Sequence, residues 1–186
     1  IDEHLADTTD KGDLLSMMIS SRREAGDDMK KARKQLRDEA MTLFLAGHET
    51  TANALTWTFY LLSQNPDKYD ALCAELDQVL KDRPATIDEI AALPYTRQVV
   101  AESMRLYPPA WVIGRTVMHD YEIGGYVIPK GSELWLSQYV VHRDARWYEK
   151  PTHFLPERWA DGEAEKRPKF SFFPFSAGVR NCIGEQ

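Results

Sequence analysis

The sequence predicts a mainly α-helical chain that carries a small antiparallel β-sheet in its second half. Apolar residues recur at near-helical spacing from about residue 31 to residue 64, which is far longer than a strand. After a pair of prolines, short β-branched and aromatic runs follow between about residues 112 and 136. Little periodicity remains in residues 142–186, which indicates an irregular packed segment. We expect residues 1–186 to belong to a single, partial domain.

The composition excludes several classes of protein. A chain of 186 residues with 43% hydrophobic residues is long enough to bury a core. Its net charge of -6 disfavours a nucleic-acid-binding surface. It lacks an apolar run of the ~18 residues that a transmembrane helix needs. Two cysteines do not suggest a disulfide framework, so we expect a reducing compartment, the cytoplasm.

Local end signals divide the first part of the chain into helices. Asn65 and Pro66 end the long helix, and they suit the N-cap and the first position of the next one. Thr86 and Glu89 form the pattern of a capping box, which predicts a short helix. Pro94 opens a further helix. Apart from the short helix after Thr86, the predicted helices therefore span about 12–22, 31–64, 66–81 and 94–106.

The strands follow the prolines. Gly124 and Gly125 lie between two short apolar runs and predict a hairpin turn. We expect one small antiparallel sheet. Its predicted strands are Val112–Val117, Tyr121–Ile123, Tyr126–Ile128 and Glu133–Leu136.

One cysteine near the end of the sequence has unusual neighbours. Cys182 has Gly178 and Gly184 on either side, Arg180 two positions before it, and Phe175 at the start of the loop. Glycines let a backbone turn sharply and approach a flat cofactor. A lone cysteine is more often a buried structural residue, but a cysteine with a glycine on each side and a cation nearby suits a thiolate presented to a soft metal such as haem iron.

The middle of the long helix carries a second unusual segment, 46–51, with the sequence A-G-H-E-T-T. Gly47 costs about 1 kcal/mol relative to alanine in a helix. An acid, Glu49, and a hydroxyl, Thr50, follow it. The segment favours a helix that opens locally beside a ligand. Taken alone, Glu49 fits a solvated helix face, and Thr50 fits ordinary bonding to the preceding turn.

A third pattern places Glu102 and Arg105 three positions apart on one helix face. Such pairs are usually surface salt bridges worth a few tenths of a kcal/mol. The neighbouring residues are apolar here, which favours a partly buried pair. A buried pair needs further hydrogen-bonding partners. A later P-E-R-W segment, 156–159, completes the set of patterns.

In type and in order, these segments resemble the cytochrome P450 monooxygenases, a family of haem-thiolate enzymes. The resemblance runs along nearly the whole chain and implies a partial cytochrome P450 fold. It corresponds to the later half of that fold and stops just after the cysteine loop. We therefore expect the chain to be a fragment, with a helix beginning near Gln186.

The resemblance implies a cofactor and its ligands. Cys182 is expected to be the axial thiolate ligand of haem b, iron protoporphyrin IX. Phe175 would shield the sulfur, and Gly178 and Gly184 would leave backbone N–H groups free to bond to it. Two arginines are implied as partners of the haem propionates. They are Arg115 and Arg180.

The resemblance also assigns roles to the helix segment. Ala46 and Gly47 would lie against the cofactor on its distal side. Thr50 would hydrogen-bond dioxygen, and Glu49 would supply protons through water. Behind the cysteine loop, the family pattern implies a structural ion network. Its members would be Glu102, Arg105 and Arg158.

The implied activity is insertion of one oxygen atom of O2 into a small hydrophobic substrate, with electrons from a ferredoxin or a flavoprotein reductase. The A-G-H-E-T-T form is typical of soluble bacterial members. Two alternatives stay open: a haem-thiolate peroxygenase, which the Glu49–Thr50 pair disfavours, and a non-catalytic haem-binding protein. We also expect the chain by itself to bind haem poorly.

Overall fold

A computed structural model of the protein describes residues 1–7, 9–81, 83–160 and 162–185. These residues form two compact units, Ile1–Glu49 and Thr50–Gln186. Each unit is described by itself below. The helix expected near Gln186 falls partly outside the described residues, and a short 3-10 turn, Ile183–Glu185, precedes that position.

The first unit consists of helices. They are α1 (Asp2–Ala6), α2 (Leu14–Glu24) and the beginning of α3 (Met29–Gln64). Asp13 caps α2, because its carboxylate accepts a hydrogen bond from the Ser16 N–H. Ile19, Ala32 and Leu36 are buried together and form the core of this unit.

The second unit contains the rest of α3 and three further α-helices. These are α4 (Pro66–Leu80), α5 (Pro94–Leu106) and α6 (Gln138–Val141), with a 3-10 helix, Ile87–Ala92, between α4 and α5. The predicted mainly helical class is confirmed. Helix α6 was not predicted, since four residues are too few to show a helical period. Within the described part of the chain, no helix combines the length and apolar character needed to cross a membrane.

One predicted cap is formed and another is not. Thr86 and Glu89 make the reciprocal bonds of a capping box. Asn65 does stand before α4, but its side chain makes no capping bond there. It donates instead to the Leu61 carbonyl, at 2.8 Å. The amide therefore stabilises the end of α3 rather than the start of α4.

The four strands form two two-stranded antiparallel sheets, not one. Strand β1 (Ile113–Thr116) pairs with β4 (Glu133–Leu136), and β2 (Tyr121–Ile123) pairs with β3 (Tyr126–Ile128). Gly124 and Gly125 connect β2 to β3, both with positive φ, as predicted for this turn.

The two pairs of strands are separate because Val117 closes the β1–β4 ladder. Its N–H donates to Ser132 and its carbonyl accepts from Gly131, at 2.9 and 2.8 Å. The chain then leaves the ladder before the hairpin begins.

Helix α5 lies at the centre of the second unit. Val99 and Leu106 of α5 pack with Leu61 and Leu62 of α3 and with Phe154. The Thr58 and Ser103 hydroxyls bridge α3 and α5 at 2.9 Å. This packing leaves another face of α5 directed towards residues 142–159, the segment that contains the site described next.

Candidate functional site

A buried ion pair occupies the middle of the site. Glu102 and Arg105 are both fully buried, and two hydrogen bonds of 2.8 Å join the guanidinium to the carboxylate. The remaining three N–H groups of Arg105 donate to the carbonyls of His142, Pro151 and His153, at 2.7, 2.7 and 3.1 Å. All five guanidinium donors are therefore used, which the three donors of a lysine could not match.

Glu102 accepts further bonds from the segment after Phe154. Arg158 donates to it at 3.2 Å, the Leu155 N–H at 3.0 Å and the Trp159 indole N–H at 2.9 Å. The structure thus brings together Glu102, Arg105 and Arg158. Burial lowers the pKa of the Arg158 guanidinium, and the Glu102 charge opposes that effect.

Sequence reasoning missed two of these partners. A buried indole N–H normally finds a hydrogen-bond acceptor, so the presence of Trp159 in the P-E-R-W segment could have predicted this contact. The Leu155 contact uses a backbone N–H, and residue identity carries no signal for it. Together these bonds compensate the buried charges, as a buried pair requires.

His142 is a further residue that the sequence did not indicate. It is fully buried, and its Nε2 accepts the Phe173 N–H at 3.0 Å. Among the described residues, the buried Nδ1 atom has no hydrogen-bond partner of normal geometry. Burial, followed by the nearby Arg105 charge, lowers the pKa of His142 to about 4.

The cysteine loop presents an exposed thiol. The Cys182 N–H donates to the Phe175 carbonyl at 2.9 Å and closes the loop at its base. Gly178 has a φ of +77° and opens the 3-10 turn that ends at Arg180. A side chain at Gly184 would have its Cβ 3.8 Å from the Cys182 sulfur. That distance is an ordinary van der Waals contact, so a Cβ at Gly184 would fit beside the sulfur without a clash.

A cavity of about 750 Å³ lies beside this loop. Its walls are mostly apolar and come from β1, β4 and α6, from Phe170 and Phe173, and from Ser176 and Ala177 of the cysteine loop. Arg115 brings a guanidinium into the lining, where it also donates to the Gly114 carbonyl at 2.8 Å. Arg180 is exposed at the end of its turn and is not part of this lining.

The helix segment 46–51 is divided between the units. Ala46, Gly47 and Glu49 lie in the first unit, Thr50 begins the second, and all four are exposed. The predicted local opening is absent here, because α3 is α-helical throughout residues 46–51. Hydroxyls elsewhere in α3 bond to carbonyls four residues earlier without interrupting it. The roles of these four residues stay predictions.

The residues of the second unit fit a haem. A flat apolar macrocycle with carboxylate substituents and a central iron needs apolar walls, a cation and a thiolate donor. The cavity supplies the walls, Arg115 the cation, and the exposed Cys182 the sulfur. A guanidinium can bind a carboxylate with two parallel hydrogen bonds.

Comparisons with known proteins agree with this chemistry. A family model described as cytochrome P450 matches residues 1–186. Cyclooctatin synthase of Streptomyces melanosporofaciens is 41% identical over 100% of this chain and 40% of its own length. Cytochrome P450 4V2 of Homo sapiens is 37% identical over 92% of this chain and 33% of its own. These relatives come from a bacterium and from an animal, so they do not establish the predicted bacterial origin of this chain.

A solved structure gives the same result. A zebra fish cytochrome P450 with abiraterone has a TM-score of 0.70 and 34% sequence identity, covering 78% of this chain and 34% of that one. The chain spans about a third to two fifths of the length of the relatives and structures that it matches.

Proposed function

Because the chain belongs to the cytochrome P450 family, we propose that it forms the thiolate-bearing part of a haem-thiolate monooxygenase. One atom of O2 enters a C–H bond of the substrate and the other leaves as water, with two electrons and two protons. The electrons come from a ferredoxin or a flavoprotein reductase. The haem supplies the redox chemistry when bound, and the protein supplies binding and orientation.

The observation that carries this proposal is the exposed Cys182 thiol on a loop that is closed at its base and whose Ser176 and Ala177 line a mostly apolar cavity. Cys182 would bind the iron through its sulfur. Arg115 would bind a carboxylate at the edge of the cofactor. The apolar walls would exclude water and favour a small hydrophobic substrate.

Proton supply is assigned to the long helix. Glu49 would bring protons from solvent, which its exposed position on α3 allows. The Thr50 hydroxyl would hold a water or the oxygen substrate by a hydrogen bond. This part of the proposal rests on the order of the two residues and on the family relationship.

The first test is the absorption spectrum of the reduced, carbon-monoxide-bound complete gene product. We expect the strongly red-shifted band of a thiolate-ligated haem. Cys182→Ala should abolish that band, and Cys73→Ala, at the half-buried second cysteine, should keep it. A wild-type protein that binds haem without this band would contradict the proposal.

The second test separates the monooxygenase from a peroxygenase. Thr50→Ala should keep the thiolate band but release more of the consumed electrons as hydrogen peroxide. Thr56→Ala is the matched control, because its hydroxyl bonds within α3 to the Ala52 carbonyl. Full coupling in Thr50→Ala would remove Thr50 from the mechanism, whereas turnover of the wild type with peroxide but not with O2 and reductant would favour the peroxygenase.

A further inference from the structure

His142 connects two parts of the site that are otherwise far apart in the sequence. Its own carbonyl accepts a 2.7 Å hydrogen bond from Arg105. Its ring accepts the Phe173 N–H at 3.0 Å. One fully buried residue is thus held by the ion network on one side and holds the approach to the cysteine loop on the other.

The direction of the second bond fixes the state of the ring. A backbone N–H can only donate, so Nε2 must be the unprotonated nitrogen and Nδ1 must carry the proton. The Phe172 and Phe173 rings lie 5.0 and 5.2 Å from the imidazole and enclose it.

From Phe173 the hydrogen bonds continue to the cysteine. The Phe173 carbonyl accepts from the Ser176 N–H at 3.1 Å, which forms a tight turn around Phe175. The Phe175 carbonyl then accepts from the Cys182 N–H at 2.9 Å. Ser176 has a φ of +72°, a conformation that costs energy for a residue with a side chain. The turn therefore needs support from its surroundings, and the bond to His142 is at its first residue.

We propose that His142 is a positioning residue for the Cys182 loop, acting as the hydrogen-bond acceptor that fixes Phe173 relative to Arg105. The assignment rests on the proposed function in so far as the loop is the one that binds the haem iron. Loss of the acceptor would leave the partly buried Phe173 N–H without this partner. The loop would then move away from the geometry that favours thiolate ligation.

The test compares two substitutions in the haem-loaded complete gene product. His142→Leu removes the acceptor, whereas His142→Gln keeps an oxygen that can accept the Phe173 N–H. We expect His142→Leu to lose most of the thiolate band of the carbon monoxide complex at unchanged haem content, and His142→Gln to retain it. His153→Leu is the matched control, because its side chain is exposed and its carbonyl, like that of His142, bonds to Arg105.

A second readout does not depend on the cofactor band or on the variants. In the wild type, nitrogen NMR should show an unprotonated, hydrogen-bonded Nε2 in His142. The Phe173 amide should exchange about 100-fold more slowly than that of the fully exposed Val179. These two measurements decide the inference even where His142→Leu does not fold.

The possible failures are distinguishable. A wild type without a thiolate band overturns the proposed function, and the NMR measurements then decide the inference by themselves. A wild type with that band, combined with an unchanged band in folded His142→Leu, overturns the inference alone. A proton on Nε2, or a Phe173 amide that exchanges as fast as Val179, also overturns it.

Discussion

Glu102 is the most heavily used acceptor of the described site. Its two oxygens accept from two nitrogens of Arg105, from Arg158, from the Trp159 indole and from the Leu155 backbone. In the described part of the chain, the other hydrogen bonds of the fully buried Arg105 go to backbone carbonyls, so Glu102 supplies its counter-charge. The stability of the second unit should therefore depend strongly on this one carboxylate.

We predict that Glu102→Gln destabilises the protein by about 3–5 kcal/mol, because it leaves a buried guanidinium without its counter-charge. Denaturant unfolding would measure the loss. Glu163→Gln is the control, since Glu163 pairs with Lys166 at the exposed surface and should change stability by less than about 1 kcal/mol. Equal effects of the two substitutions would show that the buried network contributes little.

The neutral state of His142 has a consequence for pH dependence. Its pKa of about 4 lies below the ordinary 6.5, because burial and the charges of Arg105 and Arg143 oppose protonation. Between these values the unfolded chain binds more protons than the folded one. The stabilisation is therefore complete above pH 6.5 and falls by about 3 kcal/mol as the pH drops towards 4.

Urea unfolding of the wild type and of His142→Gln between pH 4 and 7 checks this expectation. The difference in the free energy of unfolding between the two proteins should shrink as the pH falls, because glutamine does not titrate. The titrations of the carboxylates cancel in that difference. Parallel curves would show that His142 is not held neutral by the fold.

At the scale of elements, α4 holds the start of α5. The Glu75 carboxylate of α4 accepts the backbone N–H groups of Tyr95 and Thr96, at 2.7 and 2.8 Å, and the Thr96 hydroxyl at 2.7 Å. The residue at the N-cap of α5 is Leu93, whose side chain cannot accept a hydrogen bond. Glu75, although it belongs to another helix, therefore caps the N-terminus of α5. This is the end of the helix dipole that a negative charge stabilises.

We predict that Glu75→Ala lowers stability by about 1–2 kcal/mol, the range for removal of a helix cap. Asp70→Ala, at an exposed position on the same helix, should change it by about 0.5 kcal/mol or less. Thermal unfolding monitored by circular dichroism would compare them. If Asp70→Ala lowered stability as much as Glu75→Ala, the effect would come from changes within α4, and the capping of α5 by Glu75 would be contradicted.

The elements that the sequence predicted are those with local signals. The period of α3, the prolines at the starts of α4 and α5, and the paired glycines of the hairpin all act within a few residues. The division into two sheets was not predictable, because it depends on bonds between Val117 and residues 131–132. For the site, spacing identified the charged residues, but backbone acceptors such as the Pro151 carbonyl leave no trace in residue identity.

At the scale of the whole molecule, the exposed apolar side chains are the important feature. On the part of α3 within the second unit, Leu55 is 50% exposed, Trp57 38% and Phe59 65%. Soluble monomers rarely expose a large continuous apolar surface. The chain also spans only about 40% of the length of cyclooctatin synthase, a relative that it matches along its full length.

We predict that the 186-residue chain, produced by itself, binds haem weakly and self-associates. Light scattering and a hydrophobic dye would detect the association, and titration with haem would measure binding. Substitution of Phe59 by serine should reduce self-association, while Ser63→Ala, at an exposed polar position of α3, should not. A monodisperse chain that takes up one haem with a stable thiolate spectrum would contradict the expectation.

The reach of the Glu102 network along the chain has a consequence for biosynthesis. Glu102 and Trp159 are 57 positions apart. At the ~5–20 residues per second of translation, roughly 3–11 s separate their synthesis. During that interval Glu102 and Arg105 can pair within α5, whereas the residues whose carbonyls and N–H groups complete the network are still being synthesised. We therefore expect the rate of translation between residues 106 and 159, and hence the choice of synonymous codons there, to affect how much of the protein reaches its native state.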